Sequence, residues 1–242
     1  LKLLKKKYLI YLRSDGFIEY KKILGYVGLI IYKLIFTIST SNSKIISSGK
    51  SILKNLEGEM ITPSSLSSLW SLNTKPVKFD NIKLLYVGRL RVEKGIFSLI
   101  SIFEKIKSKM KLTIIGNDDR QYKKSSDSRI EYKGIMNDEK ELIKNYDDHS
   151  ILILPSYTEA YSMVIDEALI RLRPVIIFED IKEIIGDRKG IFVTKRNEKD
   201  LIEKINYISN NYENILREIK KNKFVTKQDF AKQIFEKLKN IT

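Results

Sequence analysis

Along residues 81–195 the apolar positions fall into short runs, most of them bounded by glycine or proline and followed by hydrophobics at helical spacing. Residues 82–87 read Ile-Lys-Leu-Leu-Tyr-Val before Gly88 and predict a buried strand; Phe97, Ile100, Phe103 and Ile106 then repeat as one helix face. Residues 112–115 before Gly116 predict a second strand, and 129–132 before Gly134 a weaker third. Leu142, Ile143 and Tyr146 suggest a helix, and 151–154, stopped by Pro155, a fourth strand. A helix through Val164, Ala168 and Leu169 leads to strands at 174–177 and 191–193. Strands alternating with helices imply βαβ units and a parallel sheet covered on both faces. Residues 198–241 read as two or three surface helices with Lys/Glu faces.

The first part of the chain is less regular. Residues 8–12 and 44–47 look like strands flanking 23–38, the most hydrophobic stretch, so this part also reads as α/β. Lys33 interrupts that stretch, Gly25 and Gly28 weaken it, and it is shorter than the roughly 20 residues of a bilayer span. The leading reading is a buried or amphipathic helix, with a membrane-surface element and a true span as alternatives. The polar segment Ser71-Leu72-Asn73-Thr74-Lys75-Pro76 reads as a linker, which puts the domain boundary between residues 1–76 and 77–242.

Charge sharpens this division. The 242 residues carry 45 Lys+Arg and 30 Asp+Glu, a formal net of +15. Residues 1–76 hold 12 basic and 4 acidic side chains, net +8, against 33 and 26, net +7, in the remainder. A basic balance raises nucleic acid or an anionic membrane as partners. No Lys/Arg stripe interleaved with aromatics supports nucleic acid, so none is expected. The richness in Lys, Ile, Asn and Ser is also the bias an AT-rich genome produces, an alternative source for part of the charge without any function. Cysteine is absent, which excludes disulfides, thiol nucleophiles and Cys-ligated zinc. The single histidine, His149, follows Asp147-Asp148 and reads as a loop or strand-start residue.

Two segments lie where strands of a parallel sheet end, the edge at which ligands collect. In Val87-Gly88-Arg89-Leu90-Arg91-Val92-Glu93-Lys94-Gly95, Gly88 allows close backbone approach and Arg89 and Lys94 set two cations beside a helix N-terminus. Cations and helix-terminal amides make an anion site, although a polar loop with ordinary surface charges fits the same residues. In residues 154–168, Glu159 lies in a loop and Glu167 in the following helix, with Ser162 to Val164 at that helix's opening. A loop carboxylate, free amides and a helical carboxylate can hold a sugar, a diphosphate and a ribose. Taken alone, a Glu pair at this spacing also fits solvated helix glutamates.

Together, Gly88-Arg89-Leu90…Lys94-Gly95, Pro155-Ser156…Glu159…Glu167-Ala168 and Pro174-Val175-Ile176 resemble the donor-binding half of retaining GT-B glycosyltransferases of the family 4, group 1 type. An aromatic at Tyr161 fits as well. The resemblance implies a Rossmann-like C-terminal domain preceded by a partial Rossmann-like, acceptor-side domain. It implies that Arg89 and Lys94 grip the donor diphosphate, with Ser162 and Met163 donating backbone amides to it. Glu167 then accepts from ribose hydroxyls, Glu159 contacts the donor sugar, and Met136 and Asp138 line the base. Two departures stand out: Ser162 where glycine is common, and Arg171-Leu172-Arg173 where a small-Gly pair is usual, which sets two extra cations near the cleft.

What the resemblance implies is sugar transfer from a nucleoside diphosphate to a glycan or lipid-linked acceptor, with retention and with the departing phosphate helping to deprotonate the acceptor. No metal motif and no cofactor is expected, the nucleotide sugar being a substrate. The family's first domain often supplies a histidine and opens on a Gly-rich loop; residues 1–76 contain neither, and the chain starts at Leu1. The expectation is therefore a chain that binds donor but transfers poorly, with a naturally short first domain as the alternative. A truncated donor-binding remnant and a basic binding module remain the rival functions. The basic, apolar first part predicts a cytoplasmic protein that meets an anionic membrane peripherally. Trp70, after a Ser-rich stretch, reads as an anchor to the core, with a cleft-facing role as the alternative.

Overall fold

The computed structural model describes residues 8–41, 43–53, 56–117 and 124–239. It falls into two compact units, one running to Ser67 and resumed from Val225, the other Ser68–Phe224. In the first unit β1 (Leu9–Leu12), α1 (Gly16–Thr40), β2 (Lys44–Ser47), α2 (Lys50–Leu53) and β3 (Glu59–Met60) build a parallel sheet in the order β1-β2-β3. The apolar helix expected at 23–38 thus starts earlier and is broken at Gly25, whose φ of 62° is closed to most side chains. The break folds its two arms together: Phe17 meets the rings of Tyr32 and Phe36, with centroids 4.8 and 5.1 Å away.

The second unit holds β4 (Lys83–Val87), α3 (Ile96–Lys105), β5 (Lys111–Ile115), β6 (Ile130–Gly134), α4 (Glu139–Asp148), β7 (Ile151–Leu154), α5 (Met163–Ile170), β8 (Val175–Phe178), β9 (Ile191–Thr194), α6 (Glu198–Asn210) and α7 (Tyr212–Ile219). Every strand forecast from the apolar runs is present, within a residue or two at its ends. All six strands are parallel, in the order β6-β5-β4-β7-β8-β9. Both faces are covered, so β7 and β8 are buried at every position. Each fully buried Leu or Ile there contributes about 1.5–3 kcal/mol. Ile96, Leu99, Ile102 and Phe103 supply the α3 face of the core, and Leu201, Ile205 and Ile208 that of α6.

The chain then returns to the first unit with α8 (Lys227–Lys239). Phe230 packs on Tyr11, and Lys237 pairs with Glu59. The sequence assigns this last helix to the C-terminal domain; its partners place it with the first.

The segment read as a linker is not a free tether, and this moves the division from residue 76 to Ser67. Arg171 and Arg173, expected to add charge near a cleft, are instead buried at 1 % and 2 % exposure. Arg171 donates to Asp147 with Nε and Nη2 (2.9 and 2.6 Å) and to the carbonyls of Trp70 and Leu72 with Nη1 (2.8 and 2.7 Å). Arg173 donates to the carbonyls of Tyr146, Lys75 and Asp147. A buried guanidinium needs all its N–H groups partnered, and a carbonyl-rich strap laid over the end of α4 supplies those partners. Leu172 between them holds φ 62°, a left-handed conformation costing about 1 kcal/mol or more that these bonds hold in place. Trp70 is buried in the same strap, its ring 5.4 Å from Tyr146 and its Nε1 donating to Glu139 at 2.7 Å.

Candidate functional site

From β4 the chain winds outward through β5 to β6, then crosses back to β7 and continues to β8 and β9. Strand order therefore reverses between β4 and β7, and the crevice beyond their carboxyl ends is where open parallel sheets receive ligands. Both motif segments begin there, at Val87 and Leu154.

After β4 the backbone is held close to its neighbours. Gly88 N–H donates to Ile115 at 2.9 Å and Leu90 N–H to Asn117 at 2.8 Å. A Cβ on Gly116 would stand 1.7 Å from the Gly88 carbonyl oxygen. Residues 92–94 form one 3-10 turn ending on Gly95 at φ 66°, where a Cβ would lie 1.8 Å from the Pro155 carbonyl oxygen. Only glycine fits this approach, and it draws the first segment against the second; Tyr157 N–H seals the junction by donating to the Glu93 carbonyl at 3.0 Å.

The junction brings two of the candidate side chains together. Lys94 Nζ donates to Glu159 Oε1 at 2.6 Å, and Ser156 Oγ donates to the same oxygen at 2.9 Å. Arg89 is exposed and forms no ion pair among the described residues. Its carbonyl accepts from the Tyr86 hydroxyl at 2.7 Å, a group that burial first, and the Glu159 charge second, keep protonated far above its ordinary range.

Ser162 begins α5 without a side-chain cap, so the first-turn amides, Met163 included, face out of the helix N-terminus. Glu167, one turn further in, is buried and accepts from the Tyr146 hydroxyl at 2.8 Å. Burial and the neighbouring Glu167 carboxylate push the Tyr146 pKa well up, so it stays a donor. Asp166 receives the Tyr161 hydroxyl and, at 3.0 Å, Arg188 Nη1, which tie α5 to the loop before β9.

The base-lining candidates divide. Met136 sulfur accepts from Asn145 Nδ2 at 3.3 Å, whereas the Asp138 carboxylate caps α4 by accepting from Glu141 N–H at 2.7 Å. His149 is buried between α4 and β5, its Nδ1 donating to the Asn145 carbonyl at 2.5 Å and its Nε2 accepting from Thr113 Oγ1 at 2.7 Å. Sequence reasoning overlooked Tyr146 as more than a helix-face residue, and Asp166 and Arg188 altogether. Among the described residues no three His, Asp or Glu side chains gather in a metal-binding arrangement.

The fold and this crevice define a doubly wound α/β unit with cations and a helix N-terminus at its switch point. The chain belongs to the family described as Glycosyl transferases group 1, which it matches over residues 81–211. A curated relative, an uncharacterised glycosyltransferase of Haemophilus influenzae, is 23 % identical over 204 residues, covering 78 % of this chain and 58 % of the relative. Sucrose-phosphate synthase of Thermosynechococcus elongatus superposes with a TM-score of 0.72 at 18 % identity, over 96 % of this chain and 67 % of that one. HepE of Anabaena, solved in complex with UDP and glucose, gives 0.73 at 14 % identity, over 98 % and 73 %. The fold is that of GT-B glycosyltransferases. The chain spans little more than half the length of its curated relative.

Proposed function

We propose that the crevice between β4 and β7 binds a nucleoside diphosphate sugar, and that the chain serves in transferring the sugar to a glycan or lipid-linked acceptor with retention of configuration. The observation that carries this reading is the Lys94–Glu159 pair. Two motifs 65 residues apart in sequence meet at 2.6 Å at the switch point, on the loop bearing Arg89 and the loop leading into α5.

Arg89, Lys94 and the amides of Ser162 and Met163 receive the diphosphate, Glu167 the ribose hydroxyls, and Glu159 the sugar. Breaking the C1–O bond to phosphate leaves negative charge on the diphosphate and oxocarbenium character on the sugar. Two cations and a helix N-terminus stabilise that charge without calling on a metal ion. The acceptor oxygen bonds to C1 on the face the phosphate leaves, and its proton passes to the departing phosphate oxygen. That HepE was solved with UDP makes UDP the first probe.

Calorimetric titration with UDP and GDP of the wild type, Arg89→Ala and Lys94→Ala tests the clamp. A charge-assisted contact is worth about 1.5–3 kcal/mol, so each variant should bind about 10- to 100-fold more weakly. Unchanged affinity in both removes the assignment. Binding without turnover would leave donor recognition standing and remove transfer by this chain alone.

A further inference from the structure

We infer that the outward face of α1 docks on an anionic membrane surface. In the arm at residues 26–40, Gly28, Tyr32 and Phe36 face inward, the two rings joining the cluster with Phe17 and Tyr20. The opposite side is apolar too. Val27, Ile30, Leu34 and Ile38 recur at helical spacing and are 64 %, 60 %, 59 % and 60 % exposed, with Ile31 and Ile35 beside them. Scattered exposed aliphatics are ordinary; a continuous stripe of them marks an interaction face.

Charge selects the occupant. Lys33 is the one charged residue in 26–40 and is exposed. Lys21 stands over the ring of Tyr26 at 5.3 Å, at the end of the stripe. An apolar face rimmed by Lys and Tyr suits the headgroup boundary, where stems and rings bury their apolar parts and keep polar tips in water. In sequence, residues 1–76 carry a net +8, a balance that attracts anionic headgroups. A second copy fits less well, because it would bring like-charged rims together on chains of net +15 each. No helix of the described residues is long and apolar enough to cross a membrane.

Sedimentation with vesicles tests this, using neutral phosphatidylcholine alone and with about 30 % phosphatidylglycerol, at about 0.1 M and about 0.5 M salt. The full 242-residue chain should favour the anionic vesicles and release with salt. Ile30→Asn with Leu34→Asn should lower binding about tenfold or more, and Lys33→Glu several-fold. Both changes fall on exposed positions, and circular dichroism checks that the fold is kept. Undiminished binding by the double variant overturns the proposal. So does binding that survives both high salt and alkaline carbonate, which means insertion. A lipid-independent dimer that the double variant abolishes assigns the face to a second copy instead and equally overturns it.

Discussion

Glu159 accepts from Lys94 and from Ser156 at the same time, so one carboxylate engages the cation that the proposed diphosphate requires. Its removal should therefore act opposite to removal of Lys94. Glu159→Gln frees the ammonium and should tighten UDP binding about threefold, the scale of a partly exposed ion pair; weaker binding in calorimetry would refute the competition. Tyr146 acts at one remove, its hydroxyl donating to the Glu167 carboxylate. Tyr146→Phe should weaken UDP about fivefold at a stability loss of about 1 kcal/mol. Uridine diphosphate and free uracil, titrated in parallel, separate the two roles: loss confined to the ribose-bearing ligand supports orientation of Glu167, and equal loss for both indicates general loosening. Lys94 and Glu159 were each legible as candidates because each sits in a recognisable segment; that they pair came only from the fold. The Tyr146–Glu167 bond was not legible either, since it joins residues 21 apart in sequence that only the packing of α4 against α5 brings into reach.

The strands were legible as elements because each is a run of buried aliphatics, and such runs have little alternative in a sheet covered on both faces. What packs against the ends of elements was not. Arg171 and Arg173 look like surface charge in sequence, and only the strap at residues 70–75 reveals them as partners for backbone carbonyls. His149 has a similar character: it ties the end of α4 to β5, and burial holds its pKa below the ordinary value of 6.5. The native state keeps this ring neutral while the unfolded chain protonates it near pH 6.5. Unfolded molecules then bind more protons, so His149's contribution is complete above that pH. It falls away as the pH drops toward the lower, native value. Urea unfolding between about pH 5 and pH 7.5 should show stability decreasing on the acid side, by at most about 1.4 kcal/mol per pH unit from this group. His149→Gln should flatten that slope while lowering stability throughout; an unaltered slope would assign the acid sensitivity elsewhere.

At the scale of the whole molecule, strand order and the return of α8 were the parts hidden from the sequence, because periodicity does not say which strand lies beside which. The order β6-β5-β4-β7-β8-β9 is what turns two separate motifs into one crevice. All the residues assigned to donor recognition (Gly88, Arg89, Lys94, Met136, Asp138, Glu159, Ser162, Met163 and Glu167) lie in the unit Ser68–Phe224. That unit holds its own six-stranded sheet, with helical cover from α3, α5, α6 and α7 and a strap fastened by Arg171 and Arg173. A domain of about 150 residues buries enough surface to fold on its own. Residues 68–224 produced alone should therefore be folded and should bind UDP within about threefold of the full chain, since a preformed site gains nothing from chain that does not touch the ligand. Circular dichroism and calorimetry on the two proteins make the comparison. A folded fragment that has lost UDP would show that residues 68–224 alone do not make the donor site.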